Sequence, residues 1–262
     1  MKHTNEVNIN TWKLNVDADH LPEEAFLPTI TEKDAGKVLM VSSDGIWETK
    51  EFSGGSATPP YVEEVYDSEG NLIDARLVGH TFVRDALFAQ CPNLALTSLP
   101  SGITSIGNYA FMECTSLSLT SLPSGLTSIG EAVFQNCSNL ALTSLPSGIT
   151  SIGKYAFAQC PNLALTSLPS GLTSIGEAAF QNCSNLALTN LPSGLTSIGE
   201  AAFRHCPRLT SITFEGTPTT IANNAFNNCT NLTTINVPWS EGEAANAPWG
   251  ATNATINYNY IS

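Results

Sequence analysis

The chain has 262 residues, of which 42 % are hydrophobic, enough for a folded core and too many for a disordered chain. No apolar run is long enough to span a bilayer, so membrane insertion is not expected. The formal net charge is −13 and no basic stripe interrupts it, which argues against nucleic acid and anionic membrane surfaces as partners.

The first 52 residues (1–52) follow no repeat and predict a small β-rich module. The chain starts without the apolar stretch that a secretory signal peptide requires. Apolar residues on both sides of Ser43-Asp44-Gly45 predict a β-hairpin over residues 37–48. Residues 53–60 read Ser-Gly-Gly-Ser-Ala-Thr-Pro-Pro, a composition typical of a linker.

Residues 61–238 are expected to form the main domain. Its first part, residues 61–78, predicts a second hairpin with its turn at 67–71. A stacked-repeat domain exposes its core at both ends, so this hairpin is expected to cap the repeats of residues 79–238.

A 23-residue period runs through those repeats. All seven cysteines keep it: Cys91, Cys114, Cys137, Cys160, Cys183, Cys206 and Cys229. The phenylalanines three positions earlier keep it too: Phe88, Phe111, Phe134, Phe157, Phe180, Phe203 and Phe226. A fixed period in the range of roughly 20–50 residues indicates stacked units, each too small to bury its own apolar face.

The cysteines permit two interpretations. Neighbouring coils would bring their sulfurs within reach of a disulfide. An odd number of cysteines at one repeat position, however, fits neither a paired framework nor the short C-x-x-C spacing of zinc sites. The prediction is therefore a column of buried, reduced thiols that behave as small hydrophobic groups.

Residues 183–206 illustrate one coil. Leucines at 186, 188 and 191 predict a short extended segment, which Pro192-Ser193-Gly194 ends as a turn. From Ile198 the apolar residues are spaced by four, as Ala202 and Cys206, which predicts a helix of about two turns. We therefore expect an α/β repeat solenoid, with a parallel β-ladder on one side and short helices on the other.

The segment I-G-x-x-A-F-x-x-C, as at residues 175–183, resembles the BspA-like, treponemal-type leucine-rich repeats. The resemblance covers residues 79–238. It implies a curved, right-handed coil that is often displayed on bacterial surfaces and used for adhesion to host or matrix partners.

The middle coils depart from this family in the spacing of their leucines. They read L-x-L-x-x-L where the family has L-x-x-L-x-L, and such spacing cannot turn every leucine inward on a regular pleat. Two arrangements remain open: a bulge, or an exposed stripe of leucines. That stripe would contain Leu96, Leu119, Leu142, Leu165 and Leu188.

Residues 239–262 predict a C-terminal cap in which Trp239 and Trp249 close the core. Residues 27–47 and 237–250 also resemble short modules in phage tail and prophage proteins of gut bacteria. Together the two resemblances imply an extracellular, cell-surface or virion-associated location.

Residues that could carry out chemistry are scattered. The four histidines (His3, His20, His80 and His205) are far apart in the sequence and share no motif. They suggest neither a catalytic triad nor a metal cluster. Phosphate-binding glycine loops are absent from the sequence. We therefore expect no enzyme activity, no cofactor and no metal.

Two surfaces are candidates for binding a protein or glycan ligand. One is a row of uncharged hydrogen-bonding residues along the expected β-ladder: Ser98, Ser121, Ser144, Ser167, Asn190, Thr213 and Asn236, beside Thr97, Thr120, Thr143, Thr166 and Thr189. The other is a basic cluster of Arg204, His205 and Arg208. The leading hypothesis is an adhesion or receptor-binding scaffold, and the alternative is a structural spacer that displays another module.

Overall fold

A computed structural model describes residues 37–41, 47–51, 61–243 and 245–260. The chain divides into two compact units, Met1–Pro59 and Pro60–Ser262. In the first unit, β1 (Lys37–Val41) pairs antiparallel with β2 (Trp47–Glu51), as the sequence predicted. The rest of the predicted N-terminal module and the predicted linker lie outside the described residues.

The second unit starts with the other predicted hairpin. Strand β3 (Tyr61–Tyr66) pairs antiparallel with β4 (Leu72–Val78), and the register shifts between Val65 and Tyr66. From β4, Ala75 and Leu77 are buried in the core of the repeats. The carbonyl of Ile73 accepts a hydrogen bond from Ala95 N–H in the first coil, at 2.8 Å.

Eleven short strands follow the hairpin: β5 (Phe82–Val83), β6 (Ser105–Ile106), β7 (Ser128–Ile129), β8 (Ser151–Ile152), β9 (Ser174–Ile175), β10 (Asn190–Leu191), β11 (Ser197–Ile198), β12 (Ser211–Phe214), β13 (Thr220–Ile221), β14 (Thr234–Asn236) and β15 (Thr255–Asn257). All their pairings are parallel. One sheet has the order β13-β11-β9-β8-β7, a second has the order β10-β12-β14-β15, and β5 pairs with β6. The predicted repeat solenoid with parallel strands is confirmed.

The predicted position of the ladder is wrong for the middle coils. There the strands lie in the Ser-Ile dipeptide, such as Ser151–Ile152, which the sequence had suggested was only a bridging segment. The leucine-containing segment forms strands only from β10 onward. In β12 the alternating residues Ile212 and Phe214 are both buried, so a regular strand there turns every second side chain into the core. The L-x-L-x-x-L spacing of the earlier coils does not allow this alternation.

The leucine stripe is buried. Leu119, Leu142 and Leu165 are fully inaccessible, and Leu96 and Leu188 are nearly so. Because this segment leaves regular strand pairing in the middle coils, its leucines can turn inward at a spacing that a pleat would forbid. An exposed leucine ladder, the alternative arrangement, is therefore wrong.

The short helices on the second side are also wrong, since no helix occurs among the described residues. In the fourth coil, Tyr155 and Gln159 have φ angles of 54° and 60°, which no right-handed helix accommodates. The N–H groups of Tyr155, Phe157 and Gln159 donate to carbonyls of the next coil, at 2.8, 2.8 and 2.7 Å. These inter-coil hydrogen bonds replace the i→i−4 bonds of a helix.

The core is a stack of equivalent side chains. Six pairs of successive phenylalanine rings, from Phe88 to Phe226, stack with centroids 5.2 to 5.6 Å apart. Trp249 lies 23 residues beyond Phe226, is fully buried, and accepts the Phe226 N–H at 2.9 Å through its carbonyl. Strand β15 then pairs with β14. The stacking therefore continues beyond residue 238, where the repeats were expected to end.

Candidate binding surfaces

The predicted polar row is exposed along the middle coils. The side chains of Thr97, Ser98, Thr120, Ser121, Thr143, Ser144, Thr166, Ser167 and Thr189 are all exposed. They flank the buried leucines in a segment that is not a strand, so they form an exposed column and not the face of a ladder.

Toward the C-terminal end, this row changes from a free surface to a hydrogen-bonded one. Asn190 donates to the Glu215 carboxylate. Asn236 is 9 % exposed, and its amide donates to Thr213 Oγ1 at 3.0 Å. Asn257 in turn donates to Asn236 Oδ1 at 2.8 Å. The side-chain amides of Asn190 and Asn236 therefore use some of their hydrogen-bonding groups to join neighbouring coils.

The predicted basic cluster is exposed: Arg204, His205 and Arg208 all reach the surface. The Asn228 amide lies 3.1 Å from His205 Nε2. Cys206, which lies between His205 and Arg208 in the sequence, is itself buried.

A groove that the sequence analysis missed runs along the corner beside the cysteine column. It has a volume of about 900 Å³ and extends over five coils. One wall is made by the residue before each cysteine: Gln90, Glu113, Asn136, Gln159 and Asn182. The other is made by the residue after it: Pro92, Thr115, Ser138 and Pro161. We call this feature the corner groove.

Backbone geometry fixes the first wall. Its five residues have φ angles between 59° and 62°, in the left-handed region. Their N–H groups donate to the next coil, as Asn136 N–H does to the Ala158 carbonyl at 2.9 Å. Equal conformation and equal bonding give each side chain the same starting direction. The signal in the sequence was the polar character of this position in every coil.

Hydroxyl groups fix the second wall. Thr115 Oγ1 donates to the Pro92 carbonyl at 3.1 Å, and Ser138 Oγ donates to the Thr115 carbonyl at 3.2 Å. Asn162, next to Pro161, donates to the Ser138 carbonyl at 2.9 Å. Each bond joins one coil to the coil before it, so this wall is held rigid.

Charged groups form local pairs on the neighbouring surface. Tyr109 donates to Glu131 at 2.5 Å, and Tyr155 donates to Glu177 at 2.8 Å. These bonds raise the pKa of both tyrosines. Glu177 also pairs with Lys154 at 3.1 Å. Both of its bonds lower the pKa of the Glu177 carboxyl, the bond from Tyr155 having the larger effect.

The thiols are free, and six of the seven are buried. Burial raises the pKa of Cys114 to about 12 and that of Cys229 to about 11, and it raises the pKa of the other four well above the ordinary value. Cys91 is only half-buried, which corrects the prediction that all seven are buried. It lies in the first coil, where burial and, to a smaller extent, the charge of the hairpin residue Glu64 raise the pKa of its thiol.

The described residues form neither a metal site nor a membrane-spanning helix. No group of three or more His, Cys, Asp and Glu side chains there is arranged to hold a metal ion. The described part of the chain also contains no helix of the length and hydropathy needed to cross a membrane.

Comparison with known proteins agrees with this architecture. A family model described as a BspA-type leucine-rich repeat region matches residues 81–206 and 151–243, with six copies. No curated protein is significantly similar to the chain. The terminal segments lie largely outside the matched residues, and their resemblance to phage-tail modules stays a prediction.

The similar solved structures include two bacterial leucine-rich repeat proteins. A leucine-rich cell surface protein from Faecalibacterium prausnitzii has 28 % identity over 77 % of this chain and 53 % of its own, with a TM-score of 0.55. A leucine-rich repeat protein from T. pallidum has 25 % identity over 68 % of this chain and 91 % of its own, with a TM-score of 0.51. The chain thus spans about half the length of the Faecalibacterium protein.

Proposed function

Since the chain belongs to the BspA-type leucine-rich repeat family, we propose that it is a non-catalytic scaffold that binds a protein or glycan ligand at a bacterial surface. Leucine-rich repeat proteins of this type are generally binding scaffolds. The similar protein from Faecalibacterium is described as a cell surface protein, which supports the surface location.

One observation carries the proposal. The middle coils present the same uncharged polar side chains, such as Thr143-Ser144 and Thr166-Ser167, at the same exposed position. Parallel stacking repeats them at about 4.8 Å, so a repetitive ligand would meet equivalent contacts in every coil. Many weak contacts of this kind add up to useful affinity because they are engaged together.

An array of host glycans and extracellular matrix proteins, probed with the full chain, tests this function. Selective retention of one ligand class supports it. A chain that binds no member of the array contradicts it.

A shortened protein tests how the ligand is held. Removing residues 134–179 takes out two coils, 46 residues, and preserves the register. Because each coil contacts only its neighbours, the shortened protein is expected to fold with lower stability. A ligand that spans the coils loses affinity. A ligand held by Arg204 and Arg208 does not, but it weakens with salt and in Arg204→Ala.

The near identity of the middle coils favours a second candidate, a structural spacer. Residues 137–147 and 183–193 differ only at positions 144 and 190, where Ser is replaced by Asn, whereas a single specialised site would break the repeat. If the protein is a spacer, neither the full chain nor the shortened protein binds a ligand. Removing residues 134–179 then only shortens the distance between the modules that the solenoid separates.

A further inference from the structure

The corner groove has free hydrogen-bonding capacity along its first wall. Within the part of the chain that the structure describes, the side-chain amides of Gln90, Asn136, Gln159 and Asn182 have no hydrogen-bond partner. Each amide can both donate and accept, so each can satisfy a hydroxyl group in either role. Gln90 and Gln159 are exposed, and Asn136 and Asn182 are half-buried.

The opposite wall combines rigidity with apolar surface. Pro92 and Pro161 present rings, while Thr115 and Ser138 direct their hydroxyl groups back to the protein, to the carbonyls of Pro92 and Thr115. This wall can therefore contact the C–H faces of a ligand while the amide wall binds its polar groups. A rigid wall also reduces the ordering cost of binding.

The charge of the groove restricts the ligand further. Glu113 is the only charged residue in its lining, and no cation lines it. An anionic polymer would find no partner for its charges there and would meet the Glu113 carboxylate. A cationic polymer would find a partner only at Glu113, in one of the five coils, so the ligand that fits is uncharged.

The spacing of the coils distinguishes a glycan from a peptide. Successive coils repeat at about 4.8 Å, whereas an extended peptide advances by about 3.3 Å per residue with alternating side chains, so the same side of the peptide meets an equivalent position only about every four coils. In an extended β-linked hexose chain each sugar advances by roughly one coil spacing and successive sugars are turned over, so each coil can meet one sugar and every second coil meets the same edge.

We infer that the corner groove binds an extended, uncharged glycan along the solenoid axis, with one sugar for each coil. The inference rests on the proposed binding role and narrows its ligand to one chemical class and one site. The Thr-Ser column at positions 97–98 and their equivalents belongs to a different surface.

Two isomeric probes test the ligand class by titration calorimetry of the full chain. The β-linked glucose hexasaccharide (cellohexaose) is extended, whereas its α-linked isomer (maltohexaose) coils. Cellohexaose should bind at least tenfold more tightly. Because the groove extends over five coils, affinity should rise from cellobiose to cellopentaose and then level off.

Matched variants test the site. The double variant Asn136→Ala/Gln159→Ala should weaken cellohexaose binding at least tenfold. The control Ser147→Ala/Ser170→Ala, at exposed turn positions in the same coils, should change it less than twofold. Unfolding curves should show that both proteins are folded.

Other outcomes separate this inference from the function it rests on. Equal binding of both isomers, or an affinity that the groove variant leaves unchanged, overturns the inference. Capture of a matrix protein on the array without binding of either oligosaccharide overturns the inference and leaves the scaffold function standing. Binding of an extended neutral peptide that is lost in the groove variant keeps the site and overturns the ligand class.

Discussion

Cys160 donates its thiol hydrogen to the carbonyl of Phe134, in the preceding coil, across a sulfur–oxygen distance of 2.9 Å. The same bond, over the same 26 positions, recurs at 2.9 to 3.1 Å in each of the other five buried thiols. The cysteine column therefore contributes both apolar packing and a weak hydrogen bond to the junction between coils.

Thiol labelling should separate one cysteine from the other six. Buried, protonated thiols react poorly, so a thiol reagent should label Cys91 first and the other six only on unfolding. The measurement is the number of thiols titrated before and after adding denaturant. Cys91→Ser should abolish the early reaction, and labelling of three or more thiols in the native protein would contradict the core assignment.

Alkaline pH should destabilise the protein through the same column. Each thiol has a folded pKa above the ordinary value of 9.0, so its stabilising effect is complete below about pH 9 and is lost as the pH rises. The loss should be about 1.4 kcal/mol per pH unit for each buried thiol. It continues toward pH 11 for Cys229 and pH 12 for Cys114.

Urea unfolding under reducing conditions, at intervals from pH 8 to pH 10, measures this slope. The variant Cys160→Ala serves as the control. It lacks one titrating thiol, so its unfolding free energy should fall less steeply with pH, by about 1.4 kcal/mol per pH unit. An unfolding free energy that stays constant over this range would show that the thiols are not sequestered.

Phe157→Ala should lower the free energy of unfolding by about 3 to 5 kcal/mol, because it leaves a cavity in a filled stack. The Phe157 ring lies 5.5 Å from each of its neighbours, Phe134 and Phe180. Ser144→Ala is the matched surface change and should cost less than about 0.5 kcal/mol. If chemical denaturation showed that both substitutions lower the free energy of unfolding equally, the assignment of Phe157 to the core and Ser144 to the surface would be wrong.

Two glycines of one coil should respond in opposite ways to alanine. A Cβ at Gly176 would lie 2.6 Å from the backbone of Gly153 and Lys154 in the preceding coil, so Gly176→Ala must push the coils apart. A loss of about 2 kcal/mol or more is expected from such overpacking. At Gly171 a Cβ would meet nothing within 4 Å, and Gly171→Ala should be nearly neutral in the same unfolding assay.

Ala201→Gly distinguishes the turn from the helix that the sequence suggested. In a helix the change would cost about 1 kcal/mol. Here Ala201 has a φ of 53°, which glycine adopts without strain, so the change should stabilise the protein by up to about 1 kcal/mol. Ala187→Gly, where no positive φ occurs, should destabilise it by about 0.5 to 1 kcal/mol. A loss at both positions would favour the helix.

The repeat, its 23-residue length and most of the core follow from the order of the amino acids alone. Identical apolar residues at one period can all be buried only if the coils stack in register. Phe157, Cys160 and Leu165 therefore had to face inward whatever the local backbone did, and they do. The family followed from the same residues.

The backbone conformation between those residues depends on contacts between coils. The N–H of Tyr155 can bond within its own segment or to Glu177 in the next coil, and the apolar spacing is compatible with both. Stacking supplies the second partner, so the turn with positive φ replaces the helix. The corner groove arises in the same way, because Gln159 and Pro161 become two walls only when neighbouring coils align them into columns.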